Sequence, residues 1–122
     1  MNPKDFRLGN YIQDAKGVIC KITELQNEFE DEKQISAWPI NGGGLVHGDF
    51  SPIPITEEWL LKFGFENYLT YWHLYHDDIC FDISRNFHFQ IEEYNYPFKL
   101  QYVHQLQNLY FSLTGEELKI KL

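Results

Sequence analysis

The sequence has few cysteines, few basic residues and no long apolar run, and each shortage excludes a class of protein. The two cysteines, Cys20 and Cys80, lie among apolar neighbours, which predicts buried, reduced thiols rather than a disulfide framework. Ten basic residues against eighteen acidic ones give a formal net charge of −8. This balance argues against binding to free nucleic acid, whose phosphates need a basic face, and against docking on an anionic membrane. No apolar stretch approaches the roughly 20 residues of a membrane span, and Met1–Leu8 lacks the apolar core of a signal peptide. We therefore expect a cytoplasmic protein.

Aromatic residues, in contrast, are abundant. They make up 17% of the 122 residues, as 10 Phe, 8 Tyr and 3 Trp. Apolar residues account for 43% and charged residues for 23%, which is typical of a folded domain rather than a disordered chain. A chain of this length most often forms one domain, so we predict a single domain over residues 1–122.

The first half, residues 1–55, reads as short strands separated by glycine and proline turns. We predict strands at Phe6–Ile12, Gly17–Leu25 and Ile35–Ile40, and a weaker one at Leu45–Phe50. Short strands separated by such turns favour a small β-meander or a partly open barrel.

A short helix follows, at residues 56–64. Thr56 is a typical N-cap, and Glu57 and Glu58 are acidic residues placed favourably in the first turn. Gly64 is a natural C-terminal stop.

Residues 68–102 alternate with a period of two, which predicts antiparallel strands. Phe81 and Ile83 share one parity, and Phe87 and Phe89 repeat it after a turn. We expect Asn95–Pro97 to interrupt the strands before a last one at Phe98–Tyr102. The period then changes over residues 103–114, where apolar residues at spacings of three and four predict a helix. The remaining Glu116–Leu122 reads as a polar tail or a short edge strand.

These elements predict an α+β fold. It would have an N-terminal β-meander or partly open barrel, a short central helix, and a C-terminal antiparallel sheet covered by one helix.

The most informative charged segment is acidic. Glu24, Glu28, Glu30, Asp31 and Glu32 lie within nine residues, with Phe29 among them and no basic residue before Lys33. An ordinary solvated loop is one interpretation. The functional interpretation is a partner-binding segment that docks on a basic surface and gains association rate from electrostatic steering. In that case Phe29 is either part of the core or an apolar anchor for the partner.

A second cluster contains residue types that bind metals: His73, His76, Asp77, Asp78, Cys80 and Asp82. His73 and His76 have opposite parity on a strand, and paired cysteine spacings are absent. We interpret the cluster as solvated turn carboxylates with scattered histidines, and predict no metal and no cofactor. Cys80 and His88 could meet across a hairpin, but a flat, acidic sheet face supplies neither a cleft nor an activated thiol. We therefore predict that the protein is not an enzyme.

Three segments carry a resemblance to known proteins: Arg7–Ile12 (RLGNYI), Pro52–Phe65 (PIPITEEWLLKFGF) and Tyr102–Leu118 (YVHQLQNLYFSLTGEEL). Together they resemble a family of small phage and prophage proteins. The resemblance covers both ends and the middle of the chain and implies a shared fold, but it carries no catalytic residues.

In size and composition the chain is also similar to anti-CRISPR proteins, in particular to inhibitors of the type VI-B RNA-guided RNA nuclease. This resemblance implies a phage-derived, non-enzymatic inhibitor that binds a host nuclease and interferes with the loading of guide or target RNA. The expected partner is a basic surface of that defence protein. Two alternatives stay open: a structural or regulatory protein-binding module of a phage, and a protein that sequesters a small-molecule signal.

Overall fold

The computed structural model describes residues 6–28, 32–47, 50–77, 79–91 and 94–121. Within these ranges the chain forms ten strands and two helices. The strands build two antiparallel sheets, which confirms the predicted α+β class.

The contacts between Cα atoms divide the chain into two compact units. The first comprises Met1–Ile53 and Tyr102–Leu109, and the second comprises Pro54–Gln101 and Tyr110–Leu122. Each unit holds one of the two sheets. The single domain stays a prediction.

The first unit contains a five-stranded antiparallel sheet. Its strands are β1 (Tyr11–Asp14), β2 (Ile19–Glu28), β3 (Glu32–Pro39), β4 (Val46–His47) and β5 (Phe50–Ser51). Their order is β4-β3-β2-β1-β5, so two strands that are adjacent in sequence form the opposite edges of the sheet.

The short link between these edge strands requires the sheet to curl. His47 ends β4 and Phe50 begins β5, so their Cα atoms, three peptide units apart, lie within about 11 Å. In a flat sheet, four spacings of about 4.8 Å would hold the two edges about 19 Å apart. The sheet is curled into a half-barrel, which confirms the predicted partly open barrel.

Strand β1 begins later than predicted, because Arg7–Asn10 forms a turn. The Asn10 backbone N–H donates to the Arg7 carbonyl at 3.0 Å, and the Arg7 N–H donates to Asn10 Oδ1 at 2.7 Å. Gly9 has a φ of +90°, a conformation that glycine adopts without a steric penalty. The predicted strand Phe6–Ile12 is therefore a turn followed by a strand from Tyr11.

The β2–β3 hairpin is longer than the predicted strands. β2 continues to Glu28 rather than Leu25, and β3 begins at Glu32 rather than Ile35. The acidic segment, which the sequence analysis treated as a loop, thus lies largely in paired strands. Backbone hydrogen bonds hold an antiparallel ladder whether or not its side chains are apolar, so the polarity of the segment did not end the strands.

The strands of the first unit share an apolar core, which consists of Phe6, Ile12, Cys20, Ile22, Ile35, Ala37 and Phe50. Helix α2 (Val103–Thr114) has the predicted bounds, and its residues up to Leu109 belong to this unit. Gln107, which is fully buried, joins the helix to the turn before β1. Its Oε1 accepts from the Tyr11 N–H at 2.9 Å, and its Nε2 donates to the Gly9 carbonyl at 3.1 Å.

The second unit contains a helix and a five-stranded antiparallel meander, together with the last residues of α2. Its elements are α1 (Glu57–Lys62), β6 (Glu66–Asn67), β7 (Tyr71–His76), β8 (Ile79–Ser84), β9 (His88–Ile91) and β10 (Tyr94–Lys99). The helix at 56–64 is confirmed: the Trp59 N–H donates to Thr56 Oγ1 at 3.4 Å, and Gly64, with a φ of +98°, follows its last turn.

The predicted alternation in the second sheet is also confirmed. Phe81, Ile83 and Phe89 are fully buried, while Asp82 and His88 of the opposite parity are half-buried and exposed. Tyr110 of α2 packs on this buried face, with its ring centroid 5.3 Å from that of Phe81.

One prediction for this unit was wrong, and one strand was missed. The two-residue strand β6, which joins the sheet beside β7, was not expected. Asn95–Pro97 does not interrupt the strands but lies within β10, because an edge strand with a register shift accommodates a proline that has no N–H to donate. Residues Glu116–Lys121 form no strand, yet the tail is anchored by the buried Leu118 and by the Lys121 N–H, which donates to the Lys62 carbonyl at 2.7 Å.

Candidate functional site

The register of β7 and β8 brings three titratable side chains to one face of the second sheet. His73 stands opposite Asp82, and Tyr75 stands opposite Cys80. Residues that are opposite each other in an antiparallel pair point to the same face, and so do residues two apart on one strand. His73, Cys80 and Asp82 therefore share a face, opposite to the one that carries Phe81.

The three side chains are in mutual contact. His73 Nδ1 lies 2.5 Å from Asp82 Oδ1. The Cys80 sulfur lies 3.0 Å from His73 Nδ1 and 3.5 Å from His73 Nε2, and its S–H donates to Asp82 Oδ1 at 3.4 Å. A sulfur in the imidazole plane beside Nδ1 would be much farther from Nε2, so the sulfur lies over the ring.

Three tyrosine rings surround the histidine. The centroids of Tyr75, Tyr68 and Tyr71 lie 4.1, 5.2 and 6.1 Å from that of His73, each with its plane steeply inclined to the imidazole. His73 is 5% exposed, whereas the Asp82 side chain is 24% exposed and Cys80 is half-buried. The cluster, which we call the His–Cys–Asp cluster, is thus closed on the histidine side and reached by solvent on the carboxylate side.

The ionisation of Tyr68 and Cys20 reflects their surroundings. Desolvation, and then the Glu66 carboxylate that accepts a hydrogen bond from the phenol at 3.4 Å, raise the pKa of Tyr68 above its usual value. Burial, and to a lesser extent the Asp14 carboxylate, raise the pKa of the Cys20 thiol. Both groups therefore keep their protons at neutral pH.

The other residues of the predicted metal-type cluster lie elsewhere. His76 Nδ1 is 3.1 Å from the Tyr110 hydroxyl, and its Nε2 is 3.3 Å from a Glu116 carboxylate oxygen. Asp77 is exposed in the turn, and Asp78 lies outside the described residues. The opposite orientations of His73 and His76 agree with the sequence analysis. His73 is nevertheless not isolated from the other residues of this cluster, because it contacts Cys80 and Asp82 on the next strand.

The pair considered in the sequence analysis, Cys80 with His88, is not favoured by the register. Ile83 is aligned with Phe89, so His88 lies beside Ser84, four residues along β8 from Cys80. The His88 N–H donates to Ser84 Oγ at 3.1 Å. The sequence carried a signal for the correct partner, because a two-residue turn predicted at Asp77-Asp78 would align His73 with Asp82 and Tyr75 with Cys80.

The predicted partner-binding residues lie on the β2–β3 hairpin. Glu24 and Glu28 are in β2 and Glu32 begins β3, while Phe29, Glu30 and Asp31 lie outside the described residues. Glu24 is aligned with Ser36, and Glu28 is aligned with Glu32.

The distal part of this hairpin pairs with no third strand in the part of the chain that the structure describes. Among the described residues, β1 pairs with β2 only over Ile19–Lys21, and β4 pairs with β3 only over Ser36–Ala37. Residues 25–28 and 32–35 therefore have no described partner but each other, and they form a two-stranded ribbon that we call the acidic ribbon. A register shift between Ile22 and Glu24 lies just before the ribbon, and such a bulge bends a strand.

Exposed apolar side chains lie near the base of this hairpin. Trp38 of β3 is 46% exposed and stands opposite the exposed Lys21. Ile40 is 40% exposed, and its N–H donates to the Ile19 carbonyl at 3.1 Å. A tryptophan in such a position is typical of protein interfaces.

The structure has no helix, among the residues described, that is long and apolar enough to cross a membrane. Comparison with known proteins finds no matching family model, no similar curated protein and no similar solved structure.

Proposed function

We propose that the protein is a phage-derived, non-enzymatic inhibitor that binds a host defence nuclease through its acidic ribbon. The observation that carries the proposal is that Glu28 and Glu32 lie on a ribbon that pairs with no third strand among the described residues. A ribbon of this kind can enter a groove that a flat sheet face cannot.

The charge of the ribbon supports a basic partner. Five of the eighteen acidic residues lie between Glu24 and Glu32, and Lys33 is the first basic residue after them. Such a concentration of one sign attracts a basic surface over a distance and raises the association rate at low salt. Acidic residues aligned across the strands, such as Glu28 and Glu32, cost stability. This cost is consistent with a segment that serves binding rather than packing.

The resemblance to inhibitors of the type VI-B RNA-guided RNA nuclease supports the choice of target. A nuclease that holds RNA by its phosphates needs a basic channel, and that channel is a suitable docking surface for the ribbon. Binding there would compete with the loading of guide or target RNA. This mechanism places the protein in the cytoplasm of the host cell and requires neither a cofactor nor direct contact with free RNA.

An interference assay tests the proposal in cells that carry a type VI-B system directed against a plasmid or phage transcript. We expect expression of the wild-type chain to abolish the defence. We expect the double variant Glu28→Lys/Glu32→Lys to restore it. A matched variant, Glu58→Lys/Glu66→Lys, makes the same change in net charge at two exposed positions of the second unit and should still inhibit. Full defence in the presence of the wild-type chain would refute the target.

Affinity capture from phage-infected cells separates this proposal from the phage-module alternative. A tagged wild-type chain should retain the nuclease, and the Glu28→Lys/Glu32→Lys variant should not. Recovery of a phage structural protein with both chains would instead support a role inside the phage cycle.

A further inference from the structure

We propose that His73, Cys80 and Asp82 form a zinc-binding site on the polar face of the second sheet. The inference is independent of the acidic ribbon and concerns other residues. Imidazole nitrogen, thiolate sulfur and carboxylate oxygen are the three ligand types that zinc takes from proteins. Among the residues the structure describes, these three converge, with one ligand atom from each within 4.8 Å of the others.

The distances between the ligand atoms fit one ion. Nδ1, Sγ and Oδ1 are separated by 2.5, 3.0 and 3.4 Å. A triangle with these sides has a circumradius shorter than a zinc–ligand bond, so one point lies about 2.1 Å from all three atoms. Two ligands of a tetrahedral zinc are about 3.4 Å apart, so the Nδ1···Oδ1 contact would open by about 1 Å on binding. The sulfur lies over the imidazole ring, so the Cys80 side chain would also turn toward the ring plane, in which the Nδ1 lone pair points.

The backbone places the ligands before any ion arrives. His73 and Asp82 are direct cross-strand partners, and Cys80 precedes Asp82 by two residues on the same face of β8. The tyrosine rings around His73 restrict the positions of the imidazole. Three protein ligands leave a fourth tetrahedral position for water on the exposed carboxylate side, as in zinc sites that keep one position open.

The proton and charge balance of the site is simple. On binding, the Cys80 thiol releases its proton to solvent and a Zn–S bond replaces the S–H bond. His73 binds as neutral imidazole through Nδ1, with its proton on Nε2. The thiolate and the Asp82 carboxylate together neutralise the two charges of Zn²⁺. The sulfur and nitrogen ligands disfavour Mg²⁺ and Ca²⁺, which prefer oxygen.

Titration of the purified, metal-free chain with Co²⁺ tests the site directly. We expect one Co²⁺ per chain and a near-ultraviolet thiolate-to-cobalt absorption that one equivalent of Zn²⁺ removes, with a Kd for zinc tighter than about 1 μM. One proton should be released per zinc in weakly buffered solution. If the wild-type chain shows no saturable binding, the proposal is wrong whatever the variants do.

Variants then locate the site. Cys80→Ser should abolish the thiolate band, and Asp82→Asn should weaken zinc binding by at least about 100-fold. The matched controls Cys20→Ser and His88→Gln should bind as the wild type does, because Cys20 is a buried core thiol and His88 lies four residues along the sheet. Circular dichroism checks that each variant is folded. Unchanged binding by folded Cys80→Ser or Asp82→Asn, or loss of binding by Cys20→Ser, would overturn the proposal.

Discussion

Glu28 of β2 and Glu32 of β3 are Cα partners on the acidic ribbon, so two acidic residues face each other across the strands. Like charges in this arrangement destabilise a strand pair, whereas opposite charges stabilise it by about 0.2–1 kcal/mol. The ribbon therefore offers a way to separate stability from binding.

Glu32→Lys should make the free protein more stable and its complex weaker. The new lysine faces Glu28, so the free energy of unfolding should rise by about 0.5 kcal/mol or more. The loss of an acidic residue should reduce affinity for a basic partner. Urea unfolding measures the first effect and calorimetry of binding measures the second. If both stability and affinity fall, the ribbon contributes to folding rather than to recognition.

Trp38→Ala should weaken partner binding with little effect on folding. Because the indole is 46% exposed, we expect its removal to cost less than about 1 kcal/mol of folding free energy. If Trp38 contacts the partner, its removal should cost about 2 kcal/mol of binding free energy, which raises Kd roughly 30-fold. Leu69, which is 99% exposed in the second unit, provides the matched control. Equal affinities of Trp38→Ala and Leu69→Ala would exclude Trp38 from the interface.

Gln107→Ala should strongly destabilise the protein. It would leave the Tyr11 N–H and the Gly9 carbonyl without the side-chain partners that Gln107 now provides in a buried position. Each unsatisfied group costs about 1–3 kcal/mol, so we expect a loss of about 2–4 kcal/mol in urea unfolding. Ser112→Ala, at an exposed position of the same helix, should change stability by less than about 0.5 kcal/mol. A similar small change in Gln107→Ala would contradict the role assigned to this amide.

Tyr110 should make stability decline above about pH 10. Burial, and then the Glu116 and Asp77 carboxylates, raise the pKa of Tyr110 above its usual value of 10.0. At pH values between the unfolded and folded pKa, the unfolded chain has lost the phenol proton and the folded chain keeps it. Stability is therefore fully present below pH 10 and falls as the pH rises. In urea unfolding between pH 8 and about 11, Tyr110→Phe should show a shallower decline. Parallel profiles would contradict this assignment.

The features that were predicted correctly depend on local or periodic signals. The cap at Thr56 and the stop at Gly64 define α1 within a few residues, and the apolar stripe from Val103 defines α2. Phe81 and Ile83 were correctly predicted to share the buried face of their strand, because side chains alternate between the two faces of a strand with a period of two. The short link between His47 and Phe50 requires the sheet to curl into the half-barrel that the strand pattern only suggested.

The features that were missed depend on which strands pair and in which register. β6 is two residues long, and only its pairing with β7 makes it a strand. Pro97 fits in β10 because that strand is at an edge, which the sequence does not reveal. The His–Cys–Asp cluster depends on how β7 and β8 are aligned. The alternation within one strand predicts that His73 and His76 point to opposite faces, but it does not predict the contact between His73 and Cys80.

The affinity of the purified chain for a guide-free type VI-B nuclease tests the proposed function most directly. We predict saturable binding whose Kd rises at least about tenfold as salt screens the ribbon. Glu28→Lys/Glu32→Lys should bind far more weakly than the wild type, and Glu58→Lys/Glu66→Lys should bind as well as the wild type. Binding that is insensitive to salt and identical for the wild type and both variants would contradict the acidic-ribbon mechanism.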